Sequence, residues 1–127
     1  MDSQNITCPV DVTLNLINRK WSIQIIRDMF FGKKRFKEFK EDKPDLSNKV
    51  LSSCLKDLEK NGLIEKVVVS TTPVVSEYYL TDYGRLMNRV IYELAMFTLY
   101  DEQHNTYSEE KRDELKRTFR EVLKIDE

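Results

Sequence analysis

The chain has 127 residues, 40% of them hydrophobic, which suffices for one ordinary core, and only three Gly and three Pro, which leaves little room for long irregular loops. No run of 18 apolar residues occurs and the opening MDSQNIT lacks the basic-then-apolar order of a secretion signal, so no membrane association or export is expected and the expected location is the cytoplasm. The net charge of −1 hides an asymmetry: residues 19–66 carry 13 Lys/Arg against 8 Asp/Glu, whereas residues 67–127 carry 8 against 12, so a basic middle lies between acidic flanks.

Cys8 and Pro9 open the first helical pattern, with Val10, Thr13, Leu14 and Ile17 at helical spacing and Pro suited to the first turn. This helix is expected to end near Asn18. The segment WSIQIIRDMFF places Trp21, Ile25, Ile26, Met29 and Phe30 on one broad face, and Gly32 stops it. RFKEF sets Phe36 and Phe39 three apart, enough for a short third helix, which Pro44 then ends by restricting the residue before it. Ser47 is the expected N-cap of a fourth helix that runs to Asn61, with Gly62 just beyond. LIEKVVVS and VVSEYYL read as two strands around the turn TTP. Thr81 is the expected cap of one long helix whose stripe is Tyr83, Leu86, Met87, Val90, Ile91, Leu94 and Phe97 or Thr98. The polar DEQHNTYS separates it from a last helix starting near Ser108, with Leu115, Phe119, Val122 and Leu123 on its apolar face.

The fourth helix is the most informative. At 100° per residue, Val50, Leu51, Cys54, Leu55 and Leu58 share one arc, the expected buried face. Lys49, Ser52, Ser53, Lys56 and Lys60 occupy the other, with Asp57 and Glu59 confined to its edges. Short hydroxyls among lysines suit a major groove, because Ser meets base edges or phosphate and Lys reaches guanine or backbone oxygens. A solvated face of mixed charge is the alternative. The order helix, short helix, turn, basic helix and hairpin is that of a winged helix-turn-helix, here residues 35–41, 47–61 and 64–80.

The segments CPVDVTLNLINRKWSIQIIRDMFFGKKRFKEF, LSNKVLSSCLKDLEKNGLIEK and EYYLTDYGRLM resemble the HxlR-type (DUF24) winged helix-turn-helix regulators over residues 8 to about 100. The resemblance implies one mainly α domain over residues 1–127 with a small β-hairpin wing. Its DNA-binding core would span about 19–80, and its dimerisation helices about 9–18 and 82–124. It further implies a homodimeric transcription factor on a two-fold symmetric operator. Two departures stand out: the wing tip STTPVV carries Val74 and Val75 where the family often has an Arg, and Cys54 replaces a typical glutamine-like residue. The resemblance also marks Cys8 as a candidate sensor of oxidants or electrophiles. A thiol at a helix N-terminus meets the positive end of the macrodipole, although Asp11 one turn on opposes it. A merely structural Cys8 is the alternative, and a Cys8–Cys54 pairing has nothing to support it.

The expected partner is double-stranded DNA. Arg35, Lys37, Lys49, Lys56 and Lys66 are the expected phosphate contacts, while Asn48, Ser52 and Ser53 lie nearer the bases and Ser47 completes the set. The rival reading is a winged-helix protein-interaction module, favoured by the overall acidity. An enzyme is the weakest reading, since no phosphate-binding glycine loop, nucleophile elbow or His-containing triad is present. Two cysteines and the single His104 make neither a four-ligand zinc site nor a disulfide scaffold, and no metal or cofactor is expected. A small-molecule effector would sit in a pocket between the dimer helices, lined by Trp21, Tyr92 and Phe97; the alternative is that these aromatics are simply core.

Overall fold

The computed structural model describes residues 8–126; MDSQNIT, read above as no export signal, lies outside them. The elements run α1 (Pro9–Leu16), α2 (Ser22–Phe30), α3 (Phe36–Lys40), α4 (Asn48–Lys60), β1 (Ile64–Thr71), β2 (Val74–Leu80), α5 (Asp82–Arg85), α6 (Asn88–Leu99) and α7 (Glu109–Val122). This is a winged helix-turn-helix: α3 and α4 are the motif, and the antiparallel β1–β2 hairpin is the wing. None of the described helices is long and apolar enough to cross a membrane.

Local chemistry sets most boundaries. Gly32 adopts φ +101° after α2, and the Lys33 amide donates back to the Asp28 carbonyl at 3.0 Å. Ser47 caps α4 by accepting the Val50 amide at 3.1 Å. At the other end of α4, Gly62 at φ +81° donates to the Glu59 carbonyl and Leu63 to the Leu58 carbonyl, each at 3.0 Å, which is the Schellman arrangement. The hairpin pairs Ile64 with Leu80 and Thr71 with Val74 around the Thr72-Pro73 turn, with an irregularity between Val68 and Ser70.

The core gathers Ile25 and Ile26 of α2, Phe39 of α3, Leu51, Cys54, Leu55 and Leu58 of α4, Leu63 and Ile64 at the foot of the wing, and Ile91, Met96 and Leu99 of α6. Leu123 closes it from the end of α7. Val50 does not join it: placed on the buried arc by the helical wheel, it is 45% exposed. It stands at the edge of that arc, about 100° round the helix from Leu51, which is fully buried.

The expected single long helix after Thr81 is two helices. Thr81 does cap the first, accepting the Gly84 amide at 3.0 Å and donating to the Gly62 carbonyl at 2.6 Å. The amides of Leu86 and Met87 then reach carbonyls only three residues back, so the chain tightens into a turn before α6 begins. Gly84 explains the arrangement. A Cβ there would lie 2.0 Å from the Leu63 carbonyl oxygen, so only glycine lets α5 press against the wing base. The break also divides the stripe. Met87 and Ile91 are buried, whereas Leu86, Leu94 and Phe97 face outward.

Candidate nucleic-acid interface

The motif is held from beneath by a buried ion pair. Lys43, in the turn between α3 and α4, places its ammonium on Asp28 of α2 and donates to the Phe39 carbonyl and to Asp42, both at 2.9 Å. Lys43 and Asp28 are both nearly inaccessible, so the turn cannot swing without stranding a charge in the core. Asp42 is correspondingly acidic: the Lys43 hydrogen bond lowers its pKa from 3.8 to about 2.

The polar flank of α4 is turned toward solvent. Asn48, Lys49 and Lys56 are exposed and Ser52 and Ser53 partly so, and the side chains of Lys49, Ser52, Ser53 and Lys56 have no hydrogen bond or ion pair among the described residues. Asn48 is held by the Lys40 ammonium, which bridges the end of α3 to the start of α4. Ser47 is exposed as well, but its hydroxyl oxygen is engaged in the cap. Lys37 on α3 and Lys66 on β1 are exposed.

Arg35 is placed differently from a free phosphate contact. Its guanidinium donates twice to Glu77 Oε2 of β2, at 3.0 and 2.8 Å, which ties the start of α3 to the wing. Glu77 also accepts the Tyr79 hydroxyl and lies 3.7 Å from the Lys34 ammonium. Its carboxyl is therefore held below the usual glutamate range, first by Tyr79 and then by Arg35. Half of the Arg35 side chain stays exposed, so it can meet a second anion while bound. Glu38 organises the same corner by accepting the Lys34 and Arg35 amides at 2.8 and 2.9 Å, which lowers its pKa too.

Sequence reasoning missed Lys40, Glu77 and the Asp28–Lys43 pair. Lys40 lay within the basic run that the charge count had found. The other contacts join residues far apart in the chain, and no local spacing announces them.

The two thiols separate cleanly. Cys8 is exposed at the N-cap of α1, its carbonyl accepting the Val12 amide at 3.1 Å. Cys54 is buried with its sulfur 3.8 Å from the Ser22 hydroxyl, and burial pushes its pKa up. His104 is exposed and bonded to Asp101 at 3.0 Å. Tyr92 is buried beneath Arg120, while Phe97 is 85% exposed on another side of α6.

A basic helix with a free polar flank, an anchored turn and a hairpin beside it is the geometry of a DNA-reading motif. The family model for the HxlR-like helix-turn-helix matches residues 16–106. The chain belongs to the HxlR-like helix-turn-helix family. Among its relatives is the HTH-type transcriptional regulator YodB of Bacillus subtilis, 36% identical over 110 residues that cover 85% of this chain and 98% of YodB. The uncharacterized HTH-type transcriptional regulator YdeP of the same organism is 38% identical over 66% of each chain. Among solved structures, the redox regulator HypR in its oxidized form superposes with a TM-score of 0.68 at 31% identity, covering 76% of this chain and 99% of HypR. This HxlR-like chain is thus a helix-turn-helix transcriptional regulator, a class that acts by binding DNA.

Proposed function

We propose that the protein is a homodimer that binds a two-fold symmetric DNA operator and reads its sequence through α4. The observation that carries this is the unpartnered outward flank of α4, where Ser52 and Ser53 lie between Lys49 and Lys56 beside an Asn48 steadied by Lys40. The hydroxyls and the amide are the base-reading groups, and the lysines supply the salt-dependent phosphate contacts. Arg35, Lys37 and Lys66 extend the phosphate track along α3 and the wing. The wing itself adds little charge at its tip, where Val74 is 71% exposed.

The dimer reading rests on exposed apolar surface. Two grooves share Val90: one lies against Val10 and Leu14 of α1, and the other against Leu94 and Phe97 of α6. A continuous apolar face of this kind on a small domain fits a partner of the same chain related by two-fold symmetry. In this reading Cys8, exposed at the start of that face, is the sensor of electrophiles: modification of a thiol beside the subunit contact would alter how the two reading helices are spaced.

Selection of bound sequences from random duplex DNA tests the reading. An inverted repeat with half-site centres about 34 Å apart is expected, and Ser53→Ala should change the preferred bases. Recovery of unenriched sequence would overturn it. The same DNA should be released on treatment with an electrophile by wild type and retained by Cys8→Ser; equal release by both would remove Cys8 from the mechanism.

A further inference from the structure

A cavity of about 380 Å³ lies at the foot of the wing, away from the flank of α4 and from the apolar face of α1 and α6. Its volume falls in the range of small-molecule sites. Four parts of the fold meet there: the ends of α2, β2 and α7, and the junction of α5 with α6. Buried Met29 and Leu123 give it an apolar base, and the Tyr79 ring and Leu80 form its wing side.

The polar lining has one sign. Arg85 and Lys124 are both exposed and both line the cavity, and no carboxylate does. Arg85 is held in position by donating to the Leu80 carbonyl at 2.9 Å and to Asp82 on the outer side. Lys124 has no ion pair among the described residues. It also has φ +55°, the left-handed conformation that commonly ends a helix and that glycine adopts most readily. A cation therefore stands at the cavity where a glycine would sit with less strain.

We propose that this cavity binds a small aromatic carboxylate, its anionic end on Lys124 and Arg85 and its flat body against Met29, Tyr79 and Leu123. A neutral hydrocarbon would leave Lys124 desolvated without a counter-ion, and inorganic phosphate would leave the apolar base wet; an amphipathic anion satisfies both halves. The site has a route to the motif, because the Tyr79 hydroxyl donates to Glu77 and Glu77 holds Arg35. That consequence rests on the DNA-binding reading, whereas ligand binding does not.

Naphthalene-2-carboxylate is the test probe, titrated into the full chain while backbone amide shifts are followed by NMR, with naphthalene-2-carboxamide and inorganic phosphate as controls. Saturable binding with the largest shifts at residues 79–88 and 122–124 is expected, with both controls about tenfold weaker or worse. Lys124→Gly suits the left-handed backbone and keeps the fold; it should weaken the carboxylate by about fivefold and leave the carboxamide unchanged. Equal affinity for the carboxamide, shifts confined to α1 and α6, an unaltered Lys124→Gly, or no saturation by about 10 mM would each overturn the proposal. No readout uses DNA, so failure here leaves the operator reading standing.

Discussion

In the proposed homodimer, Phe97→Glu should separate the subunits without unfolding them. Phe97 leaves α6 with 85% of its surface exposed, so nearly all of the roughly 1.5–3 kcal/mol available from burying a phenyl side chain is still to be gained in a partner. Two-fold symmetry places the residue in the contact twice, and the loss is therefore about 3–5 kcal/mol per dimer, or about two to four orders of magnitude in the dimer dissociation constant. A carboxylate at the contact adds its own desolvation cost. The isolated chain should be nearly indifferent, since an exposed substitution without a buried partner changes folding stability by about 0.5 kcal/mol or less. Sedimentation velocity over a concentration series measures the first effect. The far-UV spectrum and the slope of urea unfolding check the second. A wild type that stays monomeric at micromolar concentration, or a variant whose dimer constant moves less than about tenfold, would refute the assignment of this face.

Gly84→Ala should destabilise the protein by about 2–3 kcal/mol or more in urea titrations, because the new methyl would meet the Leu63 carbonyl at 2.0 Å, and backbone must move to admit it. In native protein a disulfide reagent should modify Cys8 quickly and Cys54 only at the unfolding rate, and Cys8→Ser should abolish the fast phase. The carboxyls of Glu77 and Asp42 are depressed by Tyr79 with Arg35 and by Lys43 respectively. Their stabilisation is therefore complete above the unfolded values of 4.5 and 3.8 and is lost as pH falls through the folded ones, about 2 for Asp42. The urea midpoint should decline across that window, and less steeply in Glu77→Gln.

Features governed by short-range chemistry were legible before the structure. Ser47 and Gly62 bound α4 because capping and left-handed termination depend on neighbours within a turn, and the β-branched run after Gly62 announced the wing. The outward lysine and serine flank followed from helical geometry alone. The division of the last apolar stripe did not, since it depends on Gly84 approaching the Leu63 carbonyl, a contact between segments 21 residues apart in the chain. Arg35 illustrates the same limit. Its charge marked it as a phosphate contact, but Glu77, 42 residues away, also claims its guanidinium. Val50 shows that a residue at the rim of an apolar arc, about 100° from the fully buried Leu51, can stay outside the core.

The most direct test of the central claim is the salt dependence of affinity for the selected inverted repeat, measured for wild type and for Lys49→Ala with Lys56→Ala. In the proposed dimer each subunit brings two lysines, so four phosphate contacts would be lost and the slope of log K against log salt should flatten by about 3 to 4. A double variant that keeps the wild-type affinity and slope would show that DNA does not lie on α4.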